Sequence, residues 1–266
     1  MRFGMCTDIA TTTRDRVEYP LLEKIKATGF DYVEFPLMMI DTLSDEDFEF
    51  LLSELKRLDL KCDCSCNYFP GRIKVTGYNV NIDEIKEYLD HAMGRAARMG
   101  VKKIVFGSNN SRNLPEGETV EEGYEDIRRL LTEAVLPACQ KYDIVVVMEP
   151  LRRQACNFII TLGDGAHVVD MMKTPEIQLL ADLMHMHYND EDPESIRDYY
   201  HMIQHVHVSE IDRIIPEEAY SAHLQHCLNV LKKMGYDGTI SFEAKGGSEP
   251  DGMKKALALL KAHFSN

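Results

Sequence analysis

Four polar residues stand at or near the ends of four apolar runs: Glu149 after 144–148, Asp182 after 177–181, His207 within 203–210, and Glu243 after 239–242. Three carboxylates and one imidazole are the donor set of a hard divalent cation. The gaps between successive members are 33, 25 and 36 residues. They lie near the roughly 31 residues of one strand-plus-helix unit when about 250 residues are divided by eight. Such spacing puts one ligand at the carboxyl end of each of four successive parallel strands, all facing one place.

Those strands are legible as short β-rich runs at 2–9, 32–36, 62–68, 103–108, 144–150, 177–182, 205–210 and 239–244. Amphipathic helical stretches rich in Leu, Ala, Glu and Lys separate them, among them 45–58, 83–99, 122–142 and 218–234, with 251–264 closing the chain. Gly29, Gly100 and Gly235 stand where helices end in a left-handed cap. The pattern predicts an α/β fold, a (β/α)8 TIM barrel. No linker or break in composition divides the sequence, so 1–266 is expected to be a single barrel domain. The longest irregular stretches, 69–82 and 109–120, follow the third and fourth strands, on the face where such barrels build their sites.

Composition narrows the partners. A chain of 266 residues with 44% hydrophobic residues can bury a sizeable core, and its net charge of -14 repels nucleic-acid phosphates and anionic lipid. No apolar run approaches the roughly 18 residues of a membrane span, and the first residues carry no basic-then-apolar leader. The expectation is a cytoplasmic protein with no nucleic-acid or membrane partner. The seven cysteines are odd in number and lack metal-finger spacing; Cys62, Cys64 and Cys66 alternate along one strand as small reduced hydrophobes.

Each candidate has a structural alternative. An ionised Glu149 or Glu243 beside such apolar strands must be paired or metal-bound, and a salt bridge is the alternative for either taken singly. His205 and His207 share one face of a strand; His207, nearer the carboxyl end, is the better ligand, and His205 reads as a hydrogen-bonded core residue. Glu34 on the second strand either orients polar groups or the substrate, or pairs with a Lys or Arg. Cys66 at the end of the third strand lines the substrate pocket, with no assignable histidine to make it a nucleophile. Gly107-Ser108-Asn109-Asn110 lacks the spacing of a phosphate loop and reads as a turn.

The chain resembles the sugar phosphate isomerase/epimerase superfamily, the xylose isomerase-like TIM barrels, and within it the D-tagatose 3-epimerase and D-psicose 3-epimerase branch. The resemblance rests on Gly29-Phe30-Asp31-Tyr32-Val33-Glu34, Val105-Phe106-Gly107-Ser108, Glu149-Pro150-Leu151, Asn157-Phe158, Thr161, Gly235-Tyr236-Asp237-Gly238 and Ser241-Phe242-Glu243. The family's metal set falls on Glu149, Asp182, His207 and Glu243; its Asp-x-x-His gives His185, and its His followed six places later by Arg gives Arg213, as substrate-binding residues. Three features depart from the pattern. Ala155 stands where the family usually has a hydroxyl-binding Glu, Arg152 replaces the Asn of Glu-Pro-Leu-Asn, and 214–218 replaces a glycine-rich loop and is expected to lead straight into a helix. The resemblance also implies a homo-oligomer, a dimer or tetramer.

The ligand set suits Mn²⁺, with Mg²⁺ or Co²⁺ as alternatives. Such an ion chelates a carbonyl oxygen and the neighbouring hydroxyl, lowers the pKa of the adjacent C–H and stabilises the enediolate. Glu149 and Glu243 then act as base and acid on its two faces. The expected function is a metal-dependent sugar isomerase or epimerase, a ketose 3-epimerase-like isomerase acting on a small sugar or sugar-like substrate. The alternatives are an inosose dehydratase-like lyase on the same barrel and a non-catalytic sugar-binding or partner subunit. A trinuclear endonuclease would need more His and Asp ligands than this set supplies.

Overall fold

The computed structural model describes residues 1–7, 19–244 and 250–265. Its strands are β1 (Arg2–Cys6), β2 (Tyr32–Pro36), β3 (Lys61–Cys66), β4 (Lys103–Phe106), β5 (Val145–Met148), β6 (Ile177–Asp182), β7 (Ile203–Val208) and β8 (Thr239–Phe242). Each pairs in parallel with the next, and β8 returns to β1 with Thr239 opposite Arg2, closing a (β/α)8 barrel. Most strand positions are buried, inward among side chains and outward against helices. Inside, Cys66, Val105, Val147 and Leu180 pack together. Each such side chain contributes about 1.5–3 kcal/mol when taken from water.

Most strands end earlier than the sequence suggests. Asn67 and Ser108 take left-handed backbone conformations (φ 49° and 46°), which break the ladder after Cys66 and Phe106. Residues 8 and 9 of the first expected strand lie outside the described residues. The stretch 109–120, expected to be irregular, contains the short helix Asn109–Arg112. The helix expected at 122–142 starts at Val120, because Thr119 and Glu122 form a reciprocal capping box. It then widens into a π-helical stretch at Leu131–Val135 before Leu136–Tyr142, a change that adjoins Pro137, which has no N–H to give.

The helix expected from 218 instead begins at Ala222, where Ser221 accepts from the Leu224 N–H. The connection after Arg213 is therefore longer than expected. Gly4 shows how tightly the barrel is filled: a Cβ there would lie 2.1 Å from the Tyr32 ring. No described helix is long and apolar enough to cross a membrane.

Candidate metal centre and active site

Glu149 follows the last residue of β5, and its N–H still donates to the Phe106 carbonyl at 3.1 Å, so the ladder fixes its backbone. Arg112, fully buried, reinforces this by donating to the carbonyls of Phe106 (2.9 Å), Glu149 (2.7 Å) and Ile159 (3.2 Å). Gly107 leaves the space the carboxylate fills, since a Cβ there would sit 2.1 Å from Glu149 Oε2. Glu243 is held the same way after β8, its N–H donating to Val208 at 3.2 Å.

Asp182 ends β6 and caps the helix Leu183–Tyr188, its Oδ1 accepting from the N–H groups of Met184 (2.9 Å) and His185 (3.0 Å). Capping leaves Oδ2 directed at the site. His207 lies in register with Asp182 on one side and Ser241 on the other.

Ligand atoms of Glu149, Asp182, His207 and Glu243 all lie within 4.8 Å of one another. A cation with bonds of about 2.1 Å separates its ligands by roughly 3–4.3 Å, so the cluster has the dimensions of one coordination sphere. Satisfaction points the same way. Glu149 Oε1, His207 Nδ1 and Glu243 Oε2 are buried with no hydrogen-bond partner, an arrangement that costs several kcal/mol in roughly this setting unless a ligand meets those atoms. His207 Nδ1 stands 3.1 Å from Glu243 Oε2 and 3.6 Å from Glu149 Oε1. The donor set and its orphaned atoms fit a hard divalent cation.

Beneath this cluster lies Glu34, fully buried. His207 Nε2 donates to Oε1 at 3.1 Å, and His205 Nε2 (3.1 Å) and the Ser241 hydroxyl (2.5 Å) donate to Oε2. The carboxylate thus fixes the His207 tautomer that leaves Nδ1 free for a cation. His205 turns its other nitrogen to the Thr239 carbonyl at 2.9 Å. Of the two readings the sequence offered for Glu34, it orients polar groups, two histidines and Ser241, rather than pairing with Lys or Arg, and its contacts lie below the open cluster.

Arg213 closes the far side, donating to Asp182 Oδ2 at 2.7 Å and forming an ion pair with Glu243 Oε2, also at 2.7 Å. His185 Nδ1 accepts the Arg152 N–H at 3.3 Å. Its Nε2 lies 3.2 Å from the Arg213 guanidinium and 3.9 Å from Glu149 Oε1.

The Glu149 and Glu243 carboxyls differ in electrostatic setting. Burial pushes Glu149 up, and Glu243 adds to this against the pull of His207. For Glu243 burial also acts upward, but Arg213 and then His207 outweigh it and hold the group below its usual range. Asp182 is held well below the carboxylate range because Arg213, His185 and His207 overcome its burial.

Cys66 is buried at the end of β3, with a sulfur close to those of Cys6 and to a Glu34 oxygen. Ala155 is half-buried at the rim, its carbonyl accepting from Asn109 at 3.3 Å, and the Arg152 guanidinium lies over the Tyr188 ring. Sequence reasoning missed Arg112 and Gly107, which shape the place of Glu149. The glycine directly after an apolar strand was a usable signal; the buried arginine gave none.

A probable ketose 3-epimerase of Synechocystis sp. is 24% identical over 253 residues, covering 92% of this chain and 84% of that protein. Among solved structures, an L-ribulose 3-epimerase superposes with a TM-score of 0.82 at 18% identity, covering 99% of this chain and 94% of its own. A 3-keto-D-glucoside 4-epimerase from E. coli gives 0.78 at 18% identity, with 98% and 99% covered. The family model described as Xylose isomerase-like TIM barrel matches residues 22–263, and the chain belongs to that family.

Proposed function

We propose that this chain is a metal-dependent sugar epimerase of the isomerase class, moving a proton at the carbon next to the carbonyl of a ketose or keto-sugar. The observation that carries the reading is the placement of Glu149 and Glu243 at the ends of β5 and β8. They share one cluster of orphaned ligand atoms and are shifted in opposite directions. Groups of one type whose environments separate their proton affinities divide acid from base work. The kinship with a ketose 3-epimerase supports C3 as the reacting carbon.

In this reading Glu149, Asp182, His207 and Glu243 hold the ion, Mn²⁺ in first place. The ion supplies Lewis-acid stabilisation of negative charge developing on a substrate oxygen. One glutamate takes the proton from C3, and the electron pair left on carbon moves toward the carbonyl oxygen. The other glutamate returns a proton to the opposite face, which inverts the centre. His185 and the Arg213 guanidinium hold the substrate oxygens, Glu34 holds His207 in its ligating tautomer, and Cys66 lines the inner wall. Residues 1–266 work as one barrel domain in a cytoplasmic homo-oligomer. With Ala155 at the rim, no carboxylate at that position receives a distal hydroxyl, so free fructose and tagatose are poor substrates.

The test is incubation of the Mn²⁺-loaded protein in heavy water with a panel of ketoses, keto-glycosides and keto-inositols. A C3 epimer carrying solvent deuterium at that carbon is expected. Irreversible loss of water would assign the lyase chemistry instead, and no exchange across the panel would leave a binding protein.

A further inference from the structure

Arg213 enters the site from a turn that its own residue type resists. Asp212 (φ 61°, ψ 22°) and Arg213 (φ 62°) are successive non-glycine residues in the left-handed region. L side chains disfavour that conformation, and it persists where the surroundings impose it. Three backbone bonds close the turn: Arg213 N–H to the Glu210 carbonyl at 3.2 Å, Ile214 N–H to the Ile211 carbonyl at 3.4 Å and Glu210 N–H to the Ile214 carbonyl at 2.9 Å. None of the three engages Asp212.

What grips Asp212 is the Tyr188 hydroxyl, donating to Oδ1 at 2.6 Å. Tyr188 is itself fixed twice over. It is the last residue of the helix Leu183–Tyr188, whose cap is Asp182, and the Arg152 guanidinium lies 4.5 Å above its ring. One short helix thus joins a proposed metal ligand, the pocket-facing His185 and the residue that grips the turn.

We infer that Tyr188 is a positioning residue for Arg213. Its hydroxyl holds the Asp212–Arg213 turn in the left-handed form, and the turn sets where the guanidinium meets Asp182 and Glu243. The assignment of a catalytic consequence rests on the proposed epimerase reading; the conformational claim does not.

Tyr188→Phe keeps the ring beneath Arg152 and removes the grip. In the Mn²⁺-loaded variant, kcat is expected to fall about three- to tenfold, the range of one lost hydrogen bond, with metal content and KM nearly unchanged. Asp212→Gly added to Tyr188→Phe is expected to restore most of the loss, because glycine takes a positive φ without strain. The independent readout is the Nε–H resonance of Arg213 in arginine-labelled protein, identified by its absence in Arg213→Lys. It is expected to broaden or move toward the free-arginine position in Tyr188→Phe. An unchanged resonance would overturn the inference whatever the activity, as would an unchanged kcat in an enzyme shown to be active. If the wild type proves inactive, the resonance alone decides, so failure of the functional reading is told apart from failure of this one.

Discussion

Two layers of buried acids and imidazoles sit one above the other in this barrel, and they differ in completeness. In the lower layer Glu34 receives His207, His205 and Ser241, Ser241 also meets the Tyr32 hydroxyl at 2.8 Å, and His205 meets Thr239. None of the side-chain polar atoms of Glu34, His205, Ser241 or Tyr32 is left without a partner. In the upper layer three of the four converging residues present orphaned atoms. Like chemistry at similar depth thus differs in one respect: the lower layer is satisfied within the protein, and the upper layer leaves atoms unsatisfied, which marks it as a candidate socket.

The largest effect that would break this comparison lies in the upper layer. Glu149→Gln and Glu243→Gln keep the shape and remove the proton-transfer group, so turnover is expected to fall about 10²–10⁴-fold in each. The folded protein should be retained, as seen by circular dichroism and thermal melting. Full activity in either variant would remove that carboxylate from the mechanism.

A smaller effect is expected one layer down. Glu34→Gln takes from His207 the acceptor that fixes its tautomer, and Mn²⁺ affinity measured by calorimetry should drop about 10–100-fold. A variant that binds Mn²⁺ as tightly as the wild type would show that the lower layer does not support the upper one.

The smallest effect is a pH dependence. Both His205 nitrogens face acceptors, Glu34 Oε2 and the Thr239 carbonyl, as an imidazolium requires. Burial opposes the charge, but Cys64 and Glu34 outweigh it and raise the group from 6.5 to about 9. A raised folded value means that the stabilisation is fully present below the unfolded pKa and is lost as pH rises through the folded one. Melting of the metal-free protein should therefore decline between roughly pH 6.5 and 9, by at most about 3 kcal/mol. His205→Gln should make that slope shallower, because His207 is also raised and keeps part of it; an unchanged slope would place a neutral ring at this position.

The upper layer was legible in the sequence because a barrel repeats. Strand ends recur at the period of a strand and helix, and Glu149, Asp182, His207 and Glu243, which the fold brings within 4.8 Å of one another, could be picked out by type and spacing. The lower layer was only half legible. Alternation put His205 beside His207, but nothing local tells that Glu34 faces both, since the contact spans 171 and 173 residues of chain. Strand ends were overestimated for a local reason: Tyr68 and Phe69 continue the apolar pattern past Cys66, whereas the ladders after Cys66 and Phe106 are ended by left-handed Asn67 and Ser108, which are not glycine. The turn at Asp212 and Arg213 escaped notice for the same reason.

The most direct test of the difference between the layers is an anomalous-difference map from crystals of the protein soaked in Mn²⁺. The account predicts one peak per chain, within bonding distance of Glu149, Asp182, His207 and Glu243. It predicts none among Glu34, Cys64 and His205 or among Cys6, Glu34 and Cys66, the other buried groups among the described residues whose ligand atoms come within 4.8 Å of one another. A peak beside Glu34, or an upper cluster that stays empty at saturating Mn²⁺, would contradict it.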